Sequence, residues 1–153
     1  KELKRYKTPE VVHGAGGIAT HDGKFLVVGG LTVDVKENYL YEYDKSFTFL
    51  KRTTLPSGYT LMGIQTAAFA DNHWWFGCYG KPQVLLKVDA NFALVGRWNF
   101  DASLGIVGQG DGGFLIARGM SEKGRGCTGW LVRAVADDAQ GLRIIGEARP
   151  LGK

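Results

Sequence analysis

The chain has 153 residues, of which 44% are hydrophobic and 22% charged, and its formal net charge is +4 at pH 7. That composition supports a packed core and excludes a disordered chain, and no apolar run of about 18 residues is present to make a membrane-spanning helix. Most of the positive excess sits in Lys1, Lys4, Arg5 and Lys7 against Glu2. Basic side chains on an outer strand deter unwanted pairing, and this reading is favoured over a phosphate-binding arm, so no nucleic-acid partner is expected.

In chain order, the first element is this basic stretch. Leu3, Arg5 and Pro9 fall on the pattern that Leu50, Arg52 and Pro56 repeat later, so residues 1–9 read as an outer strand whose three inner partners are absent. A unit over 10–56 follows. Gly17 to Ala19 run into a turn at His21, Asp22 and Gly23, and Phe25 to Val28 form a buried strand. Tyr39 to Tyr43 alternate as a third strand, Asp44 to Ser46 make a turn, and Phe47, Phe49 and Leu50 open the fourth. The unit over 57–103 repeats the order with Thr66 to Ala70, a turn at Asp71 and Asn72, Trp74 to Phe76, and Val84 to Val88. Asp89 then falls on Asp44, Phe92 on Phe47, Leu94 on Phe49 and Arg97 on Arg52. In the unit over 104–153, Asp111 takes the place of Asp22 and Asp71, Phe114 to Ala117 and Trp130 to Val135 are strands, and the last turn, Asp137 to Gly141, is longer. Phe25, Trp74 and Phe114 are expected at equivalent buried sites.

Three units of roughly 45–50 residues, each of four period-two strands, predict an all-β fold: a partial β-propeller of three four-stranded blades plus one extra N-terminal outer strand. The first unit resembles a kelch repeat, with an apolar strand ending in Gly29 and Gly30, Tyr43 before Asp44, and the aromatic Phe49. The resemblance covers about a third of the chain and implies close backbone packing at the glycine pair and aromatics between sheets. The second unit carries Cys78 and Tyr79 at the doublet and the third Arg118 and Gly119. Propellers close with four to eight blades, so the chain is expected to be half of a six-bladed or similar ring. The remaining blades come from a longer chain or from a second copy. The unpaired outer strand, and a first residue other than Met, favour the longer chain.

Propeller geometry gathers the loops before first strands and between second and third strands at one end of the axis. That places His13, Met62 and Leu104 at three equivalent entrances, with Gln65 and Gln109 further in. The second-to-third loops add Thr32, Asp34 and Lys36, then Tyr79, Lys81 and Gln83, then Arg118, Glu122, Lys123 and Arg125. His13 is the candidate general base or ligand contact, the alternative being an imidazole held by a loop carbonyl. Arg118 breaks the small-residue pattern of Gly29 and Cys78, and its planar fork suits a carboxylate or phosphate, the alternative being an ion pair with Glu122. The ligand-binding set is therefore His13, Gln65, Tyr79, Lys81, Arg118 and Glu122.

Trp74, Trp75, Trp98 and Trp130 are assigned to packing rather than sugar stacking, because the sister repeats are apolar at those positions. The dispersed His13, His21 and His73 do not make a metal site, and no cofactor is expected. Cys78 and Cys127 are either one disulfide between adjacent units or two free thiols. The leading functional expectation is a binding or scaffold module for an anionic or glycan-like ligand or a protein segment. The alternative is a hydrolase or lyase acting on an acidic saccharide, with His13 as acid or base. An extracytoplasmic setting is slightly favoured.

Overall fold

The computed structural model describes residues 1–29, 36–124 and 126–151. Twelve strands fill it, and no helix occurs among the described residues. Sheet I holds β1 (Ala15–His21), β2 (Lys24–Gly29), β3 (Asn38–Tyr43) and β4 (Phe49–Leu55). Sheet II holds β5 (Ile64–Ala70), β6 (His73–Cys78), β7 (Val84–Val88) and β8 (Leu94–Trp98). Sheet III holds β9 (Gly105–Gly108), β10 (Phe114–Glu122), β11 (Gly126–Asp137) and β12 (Gly141–Pro150). Each is an antiparallel meander in which neighbours in sequence are neighbours in space.

The sheets stack face to face, which explains why their inner strands are apolar runs rather than alternating patterns. Successive side chains point to opposite faces. On β6, Trp74 and Phe76 join Leu26, Val28 and Leu86 in the core between sheets I and II. Trp75 points the other way, into the core between sheets II and III, with Leu85, Phe114, Ile116 and Ala134. Trp98 and Trp130 are half-buried against that second core, so all four tryptophans serve packing. The predicted register holds across the sheets. Phe25 pairs with Tyr43, Trp74 with Val88 and Phe114 with Ala134, at the same place in the second and third strands of each. Trp74 and Phe114 are buried, while Phe25 is half-buried because it faces outward from sheet I.

Turn chemistry explains the repeat most directly. Asp44 Oδ1 accepts from the amides of Ser46 and Thr48 at 2.8 and 2.9 Å, and Asp89 Oδ1 accepts from those of Asn91 and Ala93, both at 2.8 Å. The Thr48 amide, followed by that of Ser46, holds the Asp44 carboxyl below its ordinary range. Phe47 and Phe92 take left-handed φ of 62° and 64° inside these turns. The fourth strand therefore begins at Phe49, not at Phe47 as the sequence suggests, because a left-handed residue cannot continue a ladder. Asp22 and Asp71 open two-residue turns with consecutive positive φ. Asp111 is not their equivalent. It lies inside a wider turn closed by Gln109 and Gly113, where its carboxylate accepts from the Gly113 amide and pairs with Arg133 at 2.8 Å.

Residues 1–9 do not form the expected outer strand, and β1 is the first strand of the chain. With no ladder partner, this segment and the two residues after it pack through side chains instead. The Tyr6 ring lies 5.0 Å from that of Phe47, Val11 packs on the Tyr41 and Tyr43 cluster, and the Glu10 carboxylate accepts from the Tyr43 hydroxyl. Burial, and then this carboxylate, raise the Tyr43 phenol above its ordinary range. The stack is open at both ends. Ile18 on the outer face of sheet I is 54% exposed, and Val107 on the outer face of sheet III is 60% exposed.

Candidate functional site

At one end of the seam between sheets II and III lies a groove of about 580 Å³, walled by Tyr79, Leu104, Arg118, Met120, Thr128 and Leu151. Three positions that the sequence places at one end of the fold, Tyr79, Leu104 and Arg118, are brought together here. Arg118 follows Phe114 and Ile116 along the same face of β10, so it turns toward sheet II. Its guanidinium carbon sits 5.0 Å from the centre of the Phe100 ring, a cation–π arrangement that holds the fork at the groove wall. The Nε is buried and has no hydrogen-bond partner among the described residues. Tyr79, just past the end of β6, is 46% exposed and offers its ring to the opening.

The loop from Phe100 to Leu104 forms the floor, and a contact far away in sequence fixes it. Thr66 Oγ1 on β5 donates to the Ala102 carbonyl at 2.7 Å, and Ala102 is fully buried. Gly77 makes room for it, since a Cβ there would lie 2.3 Å from the Ala102 oxygen. Asp101 and Ser103 also line the groove. Asp101 Oδ1 accepts from the amide and hydroxyl of Ser103, at 3.1 and 2.8 Å, which commits that oxygen to the loop.

The other expected residues stand elsewhere. His13 packs against Tyr39, with ring centroids 5.7 Å apart, and is not a groove residue. Gln65, on β5, turns back on the loop before it, donating from Nε2 to the Met62 carbonyl at 2.9 Å. Lys81 is exposed beside the groove residue Gln83 but does not line the groove. Gln109 is not the counterpart of Gln65. β9 has only four residues, so Gln109 falls beyond its far end, at the turn with Asp111. The backbone of Glu122 pairs with Gly126, its side chain lies outside the described structure, and Thr32, Asp34 and Arg125 lie outside the described residues.

Two features escaped the sequence. Phe100 is the partner of Arg118, and only the apolar step before Asp101 hinted at it. A wider groove of about 800 Å³ runs along the outer face of sheet III, between Leu115, Leu131, Arg133, Ile145 and Arg149. Among the described residues no group of three or more His, Cys, Asp or Glu is placed to hold a metal ion.

Cys78 and Cys127 are both free, which decides between the two sequence readings. Burial raises the Cys78 thiol to about 12, whereas Cys127 is exposed on the groove wall. The thiolate is the reactive form. The native protein is therefore expected to release colour from Ellman's reagent at one fast site and at two in denaturant. Two fast native sites would contradict the packing of Cys78, and none would contradict the placement of Cys127.

Chemically, the groove joins one fixed cation to aromatic and aliphatic walls. It can hold an anion attached to an apolar body. No family model matches the chain, and no curated protein matches it.

Proposed function

We propose that the chain is a binding module in which three propeller-like blades present the groove at Arg118 to an anionic ligand. The observation that carries this reading is the Arg118 guanidinium, oriented by Phe100 and facing a groove with Tyr79 on its rim. A guanidinium fork matches a carboxylate in two parallel hydrogen bonds, and the surrounding apolar wall lowers competition from water. Phe100 keeps that fork oriented before a ligand arrives, which reduces the ordering cost of binding. The open outer faces of sheets I and III fit a ring completed by further blades, from a longer chain or a second copy. His13, the acid or base of the hydrolase or lyase alternative, is not among the groove residues.

Calorimetry with glutarate, benzoate and glucuronate tests the reading. Arg118→Ala is expected to weaken every anionic hit by about 1.5–3 kcal/mol, the range for a hydrogen bond to a charged group, with little change in Tm. Arg118→Lys is expected to recover only part of the loss, since a point charge replaces the fork. Equal affinity of the wild type and Arg118→Ala for every hit would remove the site.

A further inference from the structure

β10 is longer than the strand beside it. Its pairing with β9 ends at Ala117 opposite Gly105, yet β10 continues to Glu122. Residues 118–121 pair with β11 along one edge. Along the other edge, among the described residues, no strand pairs with them. An extended edge of this kind carries main-chain N–H and C=O groups at the spacing that another extended chain can match.

That free edge opens into the groove. Arg118, Gly119, Met120 and Ser121 all line it. Arg118 and Met120 lie on the face toward sheet II, and Gly119 and Ser121 on the other, as alternation requires. Leu104 lies close beside Gly119, with its Cδ1 3.1 Å from where a Cβ would sit, and adds apolar surface there. Leu104, Tyr79, Met120 and Leu151 are all exposed apolar or aromatic side chains around one cation. A small anion would engage Arg118 and leave both the edge and these walls unused. A saccharide would meet a single ring, Tyr79, and mostly aliphatic surface.

We infer that the groove takes an extended peptide segment, which adds as a strand along residues 118–121 of β10 and sets an acidic side chain at Arg118. The inference rests on the anion-binding reading of the same groove. Main-chain pairing supplies affinity without sequence demands, while every second side chain of the peptide, on the sheet II face, meets the Arg118 fork and the Met120 and Tyr79 wall.

The probe is acetyl-Thr-Glu-Thr-Val-Thr-amide carrying a fluorophore, which puts Glu and Val on one face, with glutarate as the small-anion control. Binding is measured by anisotropy and backbone protection by hydrogen exchange. The peptide is expected to bind saturably and to slow exchange at alternate amides within 118–122. N-methylating one alternating set of its amides is expected to weaken binding at least about tenfold, and methylating the other set to change it by less than about twofold. Arg118→Ala is expected to weaken the peptide about tenfold or more. If both methylated sets bind like the parent, if those amides stay unprotected, or if the peptide does not bind while glutarate does, strand addition is overturned and the anion groove stands. If neither peptide nor glutarate depends on Arg118, the groove reading falls as well.

Discussion

Trp75→Ala is expected to cost about 3–5 kcal/mol of stability, the range for truncating a large buried aromatic. Trp75 is 1% exposed. Its ring meets Phe114 edge-on at 5.1 Å and stacks with Trp98 at 6.3 Å, so its removal opens a cavity on both sides of the seam. Its Nε1 donates to the Ala70 carbonyl at 3.2 Å, and that buried acceptor would lose its partner. The same seam ends in the Arg118 groove, so the variant is also expected to bind anions more weakly, unlike Arg118→Ala, which should leave stability largely intact. Urea denaturation monitored by circular dichroism checks it. A loss below about 1 kcal/mol would mean that sheets II and III do not pack as described.

Gly16→Ala is expected to be the most disruptive addition of a single methyl group. β1 and β5 approach so closely that a Cβ at Gly16 would lie 1.9 Å from the Ile64 carbonyl oxygen, a main-chain atom that no side-chain rotation can move away. The inner strands must then part, which costs about 1–3 kcal/mol or more. Gly110→Ala supplies the control, because a Cβ there meets nothing within 4 Å and φ is not in the left-handed region. That variant should stay within about 0.5 kcal/mol of the wild type. Similar Tm values for the two variants would contradict the close approach of the inner strands.

The parts of this fold that were legible in the sequence are those governed by short-range chemistry. Asp89 could be matched to Asp44, and Phe92 to Phe47, because the same five-residue turn needs a carboxylate to collect two amides. The apolar runs of β2 and β6 announced buried inner strands. Where local pattern misled, a partner or a backbone angle decided instead. Residues 1–9 carry a strand-like pattern, but a strand exists only with a neighbour, and the segment packs on sheet I through Tyr6, followed by Glu10 and Val11 just beyond it. Phe47 looks like a strand residue until its φ of 62° is known.

The site was half legible. Arg118 stood out because it departs from the small residues of its sister repeats, and Tyr79 because it lies past a strand end; both line one groove. Phe100 did not stand out. Its position depends on Thr66 of sheet II holding the Ala102 carbonyl in the loop between β8 and β9, a contact spanning 36 residues that no periodicity encodes. His13 was singled out as an imidazole at one of the three expected entrances, and its ring lies beside that of Tyr39.

The most direct test of the central claim, that the Arg118 groove binds anions, is an amide chemical-shift titration of the wild-type protein with glutarate. Saturable shifts are expected, concentrated at Tyr79, Leu104, residues 118–121 and Thr128, with the largest at the Arg118 side-chain Nε–H. Shifts centred on His13 and Gln65 would contradict it, as would a scatter over exposed lysines.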